Sequence, residues 1–450
     1  MSGKMRIELP EQVNIIISTL NRAGFEAYAV GGCVRDSMMG REPDDWDITT
    51  DASPAQVKKL FRRTVDTGIQ HGTVTVMLDK NGYEVTTYRI DGEYEDNRHP
   101  KQVTFTKSLE EDLKRRDFTV NAMAYHPEEG LVDLFDGIGD MEKKCIRCVG
   151  DPGERFSEDA LRIMRGVRFS AQFGYAIEEN TRQAALELAG NLENVSAERI
   201  RVELVKLLLS PNPDYLRTAY KLGITKIVLP EFDVCMVTPQ NNPHHCYNVG
   251  EHTLESLRQI RADKVLRLTM LLHDIGKPLT RTTDESGKDH FKKHPGESAR
   301  LARKILQRLK FDNHTLHRVC RLVEYHDWAI DLKEDVKIAS VRRLIAKIGE
   351  DAFPEMFEVN RADMLAQSDY IRDVKIKKQE RLEALYWEIQ ENRQCLALKD
   401  LAVNGSDLLE KGLKPGKELG EILQKMLADV LEDPGHNEKE YLLHHLNQYL

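Results

Sequence analysis

Gly31-Gly32-Cys33-Val34-Arg35-Asp36, eight further residues, then Asp45-Trp46-Asp47: these 17 residues decide how the N-terminal part of the chain is read. Ala27-Tyr28-Ala29-Val30 just ahead has the composition of a strand, and the double glycine ends it in a turn. Without Cβ atoms there, backbone N–H groups can approach a triphosphate, with the Arg35 guanidinium beside them. Asp45 and Asp47 stand two apart on a strand predicted from Trp46 to Thr49, so their carboxylates share one face while Trp46 turns to the core. Two carboxylates on one face can hold a pair of Mg²⁺ ions, as in-line phosphoryl chemistry uses. Glu84, in Tyr83-Glu84-Val85-Thr86-Thr87, offers a third carboxylate from a neighbouring strand. Singly, each element is commonplace, since a double glycine is often a plain turn and Asp-x-Asp an exposed loop. In this order and spacing they specify metal-dependent nucleotidyl transfer.

Outward from this stretch, residues 1–140 alternate short β-type runs with helices. Val74 to Leu78 and Tyr83 to Tyr88 flank Lys80-Asn81-Gly82, a hairpin signal. Ser53-Pro54-Ala55-Gln56 supplies a helix N-cap and a proline at the first helical position. Beyond about residue 150, apolar residues recur at helical spacing, as at Ile200, Leu204 and Leu208, and β-runs become scarce. The expected fold class is α+β, a head with a small mixed sheet followed by a long all-helical body. A chain of 450 residues should hold several domains. The expected segments are a head at 1–140, a helical neck at 141–240, a second site-bearing domain at 241–370 and a helical tail at 371–450.

Composition narrows the class. With 40% hydrophobic and 31% charged residues the mix is globular, and no run approaches the ~18 apolar residues of a membrane span. The N-terminus shows no apolar segment of a secretory signal. Seven cysteines in this length read as reduced thiols in a cytoplasm, and Cys145-Ile146-Arg147-Cys148 has no second pair with which to make a zinc site. A net charge of −9 argues against a surface coated with nucleic acid, while clusters such as Lys114-Arg115-Arg116 leave room for a local basic groove.

At this point the chain resembles the class II tRNA nucleotidyltransferases, the CCA-adding enzymes and bacterial poly(A) polymerases of the polymerase β superfamily. Arg115-Arg116-Asp117-Phe118-Thr119-Val120-Asn121-Ala122 resembles their ribose-contacting motif, which implies that Arg116, Asp117 and Asn121 face the nucleotide bound at Gly31, Gly32 and Arg35. Leu134-Phe135-Asp136-Gly137 resembles the hinge between head and neck. Glu158-Asp159-Ala160-Leu161-Arg162 matches the signature whose Asp and Arg serve the family as an amino-acid template for the incoming base. An acceptor-only Asp159 and a donor-only Arg162 can complement the pairing edge of C or A. By spacing, Asp159, Arg162, Arg165 and Arg168 step by three along one predicted helical ridge. Glu198-Arg199-Ile200 with Glu203 resembles the last, structural motif of the family.

The resemblance runs continuously over about residues 20–240. It implies a template-independent transfer from CTP and ATP to the 3′ end of tRNA, with two Mg²⁺ ions at Asp45 and Asp47 and no membrane. The segment 87–100 resembles the loop that adenosine addition requires, so full CCA addition ranks above CC addition. A poly(A) polymerase is the nearer alternative. The rival of another class is a phosphohydrolase with an RNA-binding head, but paired carboxylates and an intact Arg116 favour transfer.

A second constellation lies in the helical part. His252, the adjacent pair His273-Asp274 after the apolar run Leu266 to Leu272, His294, His326 and Asp363 resemble the six-ligand, two-metal HD phosphohydrolase arrangement. Imidazole with carboxylate suits a divalent transition metal or Mg²⁺. The resemblance implies RNA-end phosphomonoesters or 2′,3′-cyclic phosphates as substrates. Asp327 is a candidate for a supporting position, and His244-His245-Cys246 reads as a junction loop.

Overall fold

A computed structural model describes residues 6–92, 103–327 and 335–450. The chain packs as two compact units, Met1–Pro230 and Glu231–Leu450. The expected head and neck fall together in the first, except for residues 231–240.

In the first unit, Glu11–Arg22 (α1) places Val13, Ile16, Ile17 and Leu20 on one helical stripe and buries all four. They belong to the core of the head together with Ala29, Ile48, Val74, Val76 and Val85 from the sheet. The strands are Ala27–Val30 (β1), Ile48–Thr50 (β2), Thr64–Gly68 (β3), Thr73–Leu78 (β4) and Asn81–Thr87 (β5), then a separate pair, Arg89–Asp91 (β6) and Val103–Phe105 (β7), and finally Met123–His126 (β8) and Gly130–Asp133 (β9). The main sheet has the order β3-β4-β5-β2-β1-β8-β9 and is mixed, since β2 runs parallel to β5 and the other pairs are antiparallel.

Two local readings shift by a residue or two. The strand expected from Trp46 begins at Ile48, so Asp45 and Asp47 occupy the loop that leads into β2. Trp46 packs partly buried against the core of the head, as expected. The hairpin turn falls at Asp79-Lys80, both at positive φ (48° and 70°), one residue before the signal. Gly82 instead lies within β5, where a Cβ would meet Thr75 Cγ2 at 2.8 Å, so its smallness serves packing and not the turn. The helix Pro54–Leu60 begins at the expected cap, with the Ser53 backbone N–H donating to Gln56 Oε1 at 2.8 Å.

The rest of this unit is mainly helical. Pro152–Glu158 carries an Asp151 cap, Leu161–Phe173 ends in Gly174 at φ 69°, and Ala197–Leu208 packs against it. The second unit is helical almost throughout, with Val249–Gln259, Lys264–Leu272, His294–Arg308, Asn313–Tyr325 and Phe353–Leu365 around its site and Arg372–Glu391 and Lys417–Glu432 beyond. Among the described residues no helix is long and apolar enough to cross a membrane. Of the segment 87–100, residues 93–100 lie outside the described residues.

Candidate active sites

The head site begins where β1 ends. Gly31 sits at φ 83°, which a side chain would strain, and a Cβ there would lie 2.8 Å from Arg116 Nη1. The glycine therefore serves both the turn and the approach of a guanidinium. Parallel pairing of Ile48 with Val85 brings Asp47, one residue earlier, beside Glu84. Burial raises the Asp47 carboxyl above its ordinary range; Arg116 opposes this, and the Glu84 and Asp45 charges add to it. Such a cluster of oxygen donors, repelling one another, fits a divalent cation. The buried Nε of Arg116 has no hydrogen-bond partner, which leaves a donor for an anion in the same cleft.

That cleft, of about 710 Å³, brings together Gly31, Gly32, Arg35, Asp45, Asp47, Arg116, Asp117, Asn121, Arg165 and Arg168. A single network orders one wall. Arg35 Nη1 donates to Asn121 Oδ1, and Asn121 Nδ2 donates to Asp117 Oδ1 at 3.1 Å. Asp117 Oδ2 then accepts from Arg165 Nε at 2.8 Å, and Glu203 accepts from Arg168 Nε at 3.0 Å. Burial alone would raise Asp117, but Arg165 and the Asn121 amide outweigh it and hold this carboxyl well below the usual range. Arg35 also stands over the Phe173 ring at 4.8 Å, and Arg168 over Phe169 at 3.5 Å.

The expected four-residue ridge is not formed. Asp159 has extended backbone (φ −142°, ψ 101°) between two helices, because the chain breaks after Glu158 and the next helix starts at Leu161. Only Arg162, Arg165 and Arg168 share that helix. Asp159 is gripped at both oxygens by Arg199, at 2.7 and 3.2 Å. Arg162 donates to Glu158 Oε2 at 2.6 Å and to the Arg115 carbonyl at 3.2 Å. Neither lines the cleft of the other ten residues, and the expected third carboxylate, the exposed Glu84, does not line it either.

Sequence reading missed Asp112. Its fully buried carboxylate accepts from Arg115 Nη2 at 2.7 Å and from Thr49 Oγ1 at 3.1 Å, and it lies 3.5 Å from Arg116 Nη2. It links the strand that follows Asp47 to the arginines. Its spacing from Arg115 and Arg116, three and four residues, was the available signal.

In the second unit the six expected residues form two triads, His252/His273/Asp363 and Asp274/His294/His326. Each imidazole turns Nδ1 to a backbone carbonyl: His252 to Ala366, His273 to Met270, His294 to Phe291 and His326 to Val323, at 2.7–3.2 Å. Donation from Nδ1 leaves every Nε2 with a lone pair, and these converge, with 3.3 Å between His252 and His273 and 3.3 Å between His294 and His326. Asp274 stands between the triads, Oδ2 at 3.3 Å from His273 and Oδ1 at 3.3 Å from His294. Neither of its buried oxygens accepts a hydrogen bond, although the Lys277 ammonium lies 2.7 Å away. Converging lone pairs around a fully buried carboxylate fit a pair of divalent cations.

Gly276 sets this arrangement, since a Cβ there would meet Ser298 N at 2.5 Å and hold off the helix that carries His294. Gln367 donates to Asp363 at 2.9 Å, and Asp327, largely exposed, lies 4.0 Å from His294. The His244-His245 pair is more than a junction loop, because both residues line the same cleft as the triads. Cys145 and Cys148 belong to no metal-ligating group among the described residues.

Family models match three segments. Residues 27–147 match the poly A polymerase head domain, 174–236 the "Probable RNA and SrmB- binding site of polymerase A", and 296–446 tRNA nucleotidyltransferase domain 2. The CCA-adding enzyme of Levilactobacillus brevis is 35% identical over 98% of this chain and 99% of its own length. That of Lactiplantibacillus plantarum is 55% identical over a shorter stretch, 44% of this chain and 49% of the relative. Among solved structures, the Bacillus stearothermophilus CCA-adding enzyme in complex with CTP matches with a TM-score of 0.72 and 29% identity, covering 97% of this chain and 96% of that one. The Thermotoga maritima CCA-adding enzyme complexed with tRNA shares the fold, with a TM-score of 0.63 at 21% identity over 99% and 97%. With a full-length relative, a matching head and a cleft that gathers the nucleotide-facing residues, the chain belongs to the CCA-adding enzymes, a family of tRNA nucleotidyltransferases.

Proposed function

We propose that this chain adds C, C and A to the 3′ end of tRNA from CTP and ATP, without a nucleic-acid template, in the cytoplasm. The observation that carries this is the convergence of Asp45 and Asp47 beside the Gly31 turn and Arg116, with the Glu84 charge felt at Asp47, in a chain whose full-length relatives are CCA-adding enzymes. Asp45 and Asp47 would hold two Mg²⁺ ions, which supply charge for the attacking 3′-oxygen and the departing pyrophosphate. Gly31, Gly32, Arg35 and Arg116 bind the triphosphate, and Asp117 and Asn121, fixed by Arg165 and Arg35, orient the sugar. The 3′-hydroxyl oxygen bonds to the α-phosphorus as the α–β bridge breaks, pyrophosphate leaves, and the hydroxyl proton passes to solvent. Asp159 and Arg162 read the base by exchanging Arg199 and Glu158 for its pairing edge. The segments 1–140, 141–240, 241–370 and 371–450 serve as head, neck, HD domain and tail. Asp45→Ala and Asp47→Ala should abolish incorporation while CTP binding through Arg116 persists; wild-type incorporation by either variant refutes the metal role.

The paired triads favour a second activity, metal-dependent hydrolysis of a phosphomonoester or 2′,3′-cyclic phosphate at an RNA end. His252, His273 and Asp363 would hold one divalent ion and His294, His326 and Asp274 the other, supplying an activated water. In such a hydrolysis a water oxygen would bond to phosphorus as a P–O bond to the ribose breaks, the water's proton passing to the ribose oxygen. Asp274→Ala should abolish this hydrolysis and leave CCA addition intact; hydrolysis that survives overturns the assignment.

A further inference from the structure

The cleft above the two triads encloses about 440 Å³, the scale of a nucleotide-sized ligand. Its walls hold more than one phosphate requires. Lys277 is buried next to Asp274, and Lys375 is partly buried beside Gln367. These two can serve a phosphate at the triads. Lys288 and Lys292 line the same cleft but are exposed, and neither forms an ion pair with a described carboxylate. Asp289, between them in sequence, is occupied by the Asn241 backbone N–H, Arg281 and Thr283. Among the described residues, then, these two mouth lysines have no carboxylate partner.

An aromatic pair stands beside them. His244 lines the cleft and meets the Tyr370 ring edge-on, with centroids 5.1 Å apart at 73°, and Tyr370 is 52% exposed. The two segments are tied together, since Ser368 N donates to the His244 carbonyl at 3.0 Å and Ser368 Oγ to that of Pro243. His244 Nδ1 is buried without a hydrogen-bond partner. Burial, helped by Lys375 and Lys288, lowers the His244 pKa, so the ring is neutral and suited to stacking.

We infer that this cleft binds the 3′ end of an RNA strand and not a free nucleotide, with the terminal phosphate at the triads, a base on His244 and Tyr370, and the preceding backbone phosphate at Lys288 and Lys292. The inference rests on the phosphohydrolase reading of the triads. A mononucleotide has no preceding phosphate for the mouth lysines, so only a strand of two or more nucleotides engages the whole wall.

The test uses the full chain loaded with Mn²⁺ and two probes, a 2′,3′-cyclic mononucleotide and a pentanucleotide RNA ending in a 2′,3′-cyclic phosphate. The pentanucleotide should show at least tenfold higher kcat/KM. Lys288→Ala with Lys292→Ala, and separately His244→Ala, should each shrink that ratio severalfold, and the lysine contribution should weaken with added salt. A second readout does not depend on turnover: 4-thiouridine near the RNA 3′ end, photocrosslinked and mapped by mass spectrometry, should attach within 242–245 or 368–370. Equal kcat/KM for both probes without such a crosslink overturns the inference while the phosphohydrolase reading stands. A crosslink there with neither probe hydrolysed supports the RNA-end site and refutes the phosphohydrolase reading. Neither hydrolysis nor crosslink refutes both.

Discussion

Replacing Gly31 with alanine should separate binding of the nucleotide from stability of the fold. Two costs follow from the geometry. At φ 83° and ψ −127° the backbone lies where alanine is strained, a cost of ~1–3 kcal/mol. The added Cβ would also stand 2.8 Å from Arg116 Nη1, where atoms prefer ~3.5–4.0 Å, so the guanidinium must retreat by about 1 Å. Because that atom ends a flexible side chain, the retreat adds little to the stability loss but misplaces the charge on the triphosphate. A 1 Å misplacement of such a group costs roughly 10²-fold in rate. Urea denaturation and steady-state CTP incorporation on tRNA lacking CCA give the two numbers. The expected result is a modest stability loss with kcat/KM reduced about 100-fold. Reduced stability with wild-type kcat/KM would refute the placement of Arg116 over Gly31.

Two other substitutions probe the scaffolds. Asp112→Asn removes the charge that two arginines share; breaking a buried pair costs ~3–5 kcal/mol, and since Arg115 and Arg116 are 16% and 19% exposed the lower end is expected. It should raise KM for CTP more than it lowers kcat, and Asp112→Glu should restore part of both. Gly276→Ala should push the helix His294–Arg308 outward, so titration with Mn²⁺ would show one site lost or weakened while CCA addition is retained. Two full-affinity Mn²⁺ sites in that variant would show that Gly276 does not set the spacing.

What could be read in the sequence was local or dense in chemistry. The strand Ala27–Val30, the cap at Ser53 and the six triad residues sit where their residue types put them. The breaks came from contacts distant in sequence. Nothing near Asp159 signals that Arg199, 40 residues on, takes both its oxygens, or that the helix restarts two residues later. His244 looked like a junction because its partner, Tyr370, lies on a segment more than a hundred residues away. Gly82 carried a turn signal, yet the close approach of Thr75 across the hairpin explains it better. Periodicity reports which face is buried, whereas such pairings depend on how the faces meet.

The most direct measurement follows products at single-nucleotide resolution. The full chain is incubated with tRNA lacking its 3′ CCA, Mg²⁺ and labelled CTP and ATP, singly and together. The account predicts two nucleotides with CTP alone, three with both, and then a stop. A long A tail with ATP alone, or no extension at all, would contradict it.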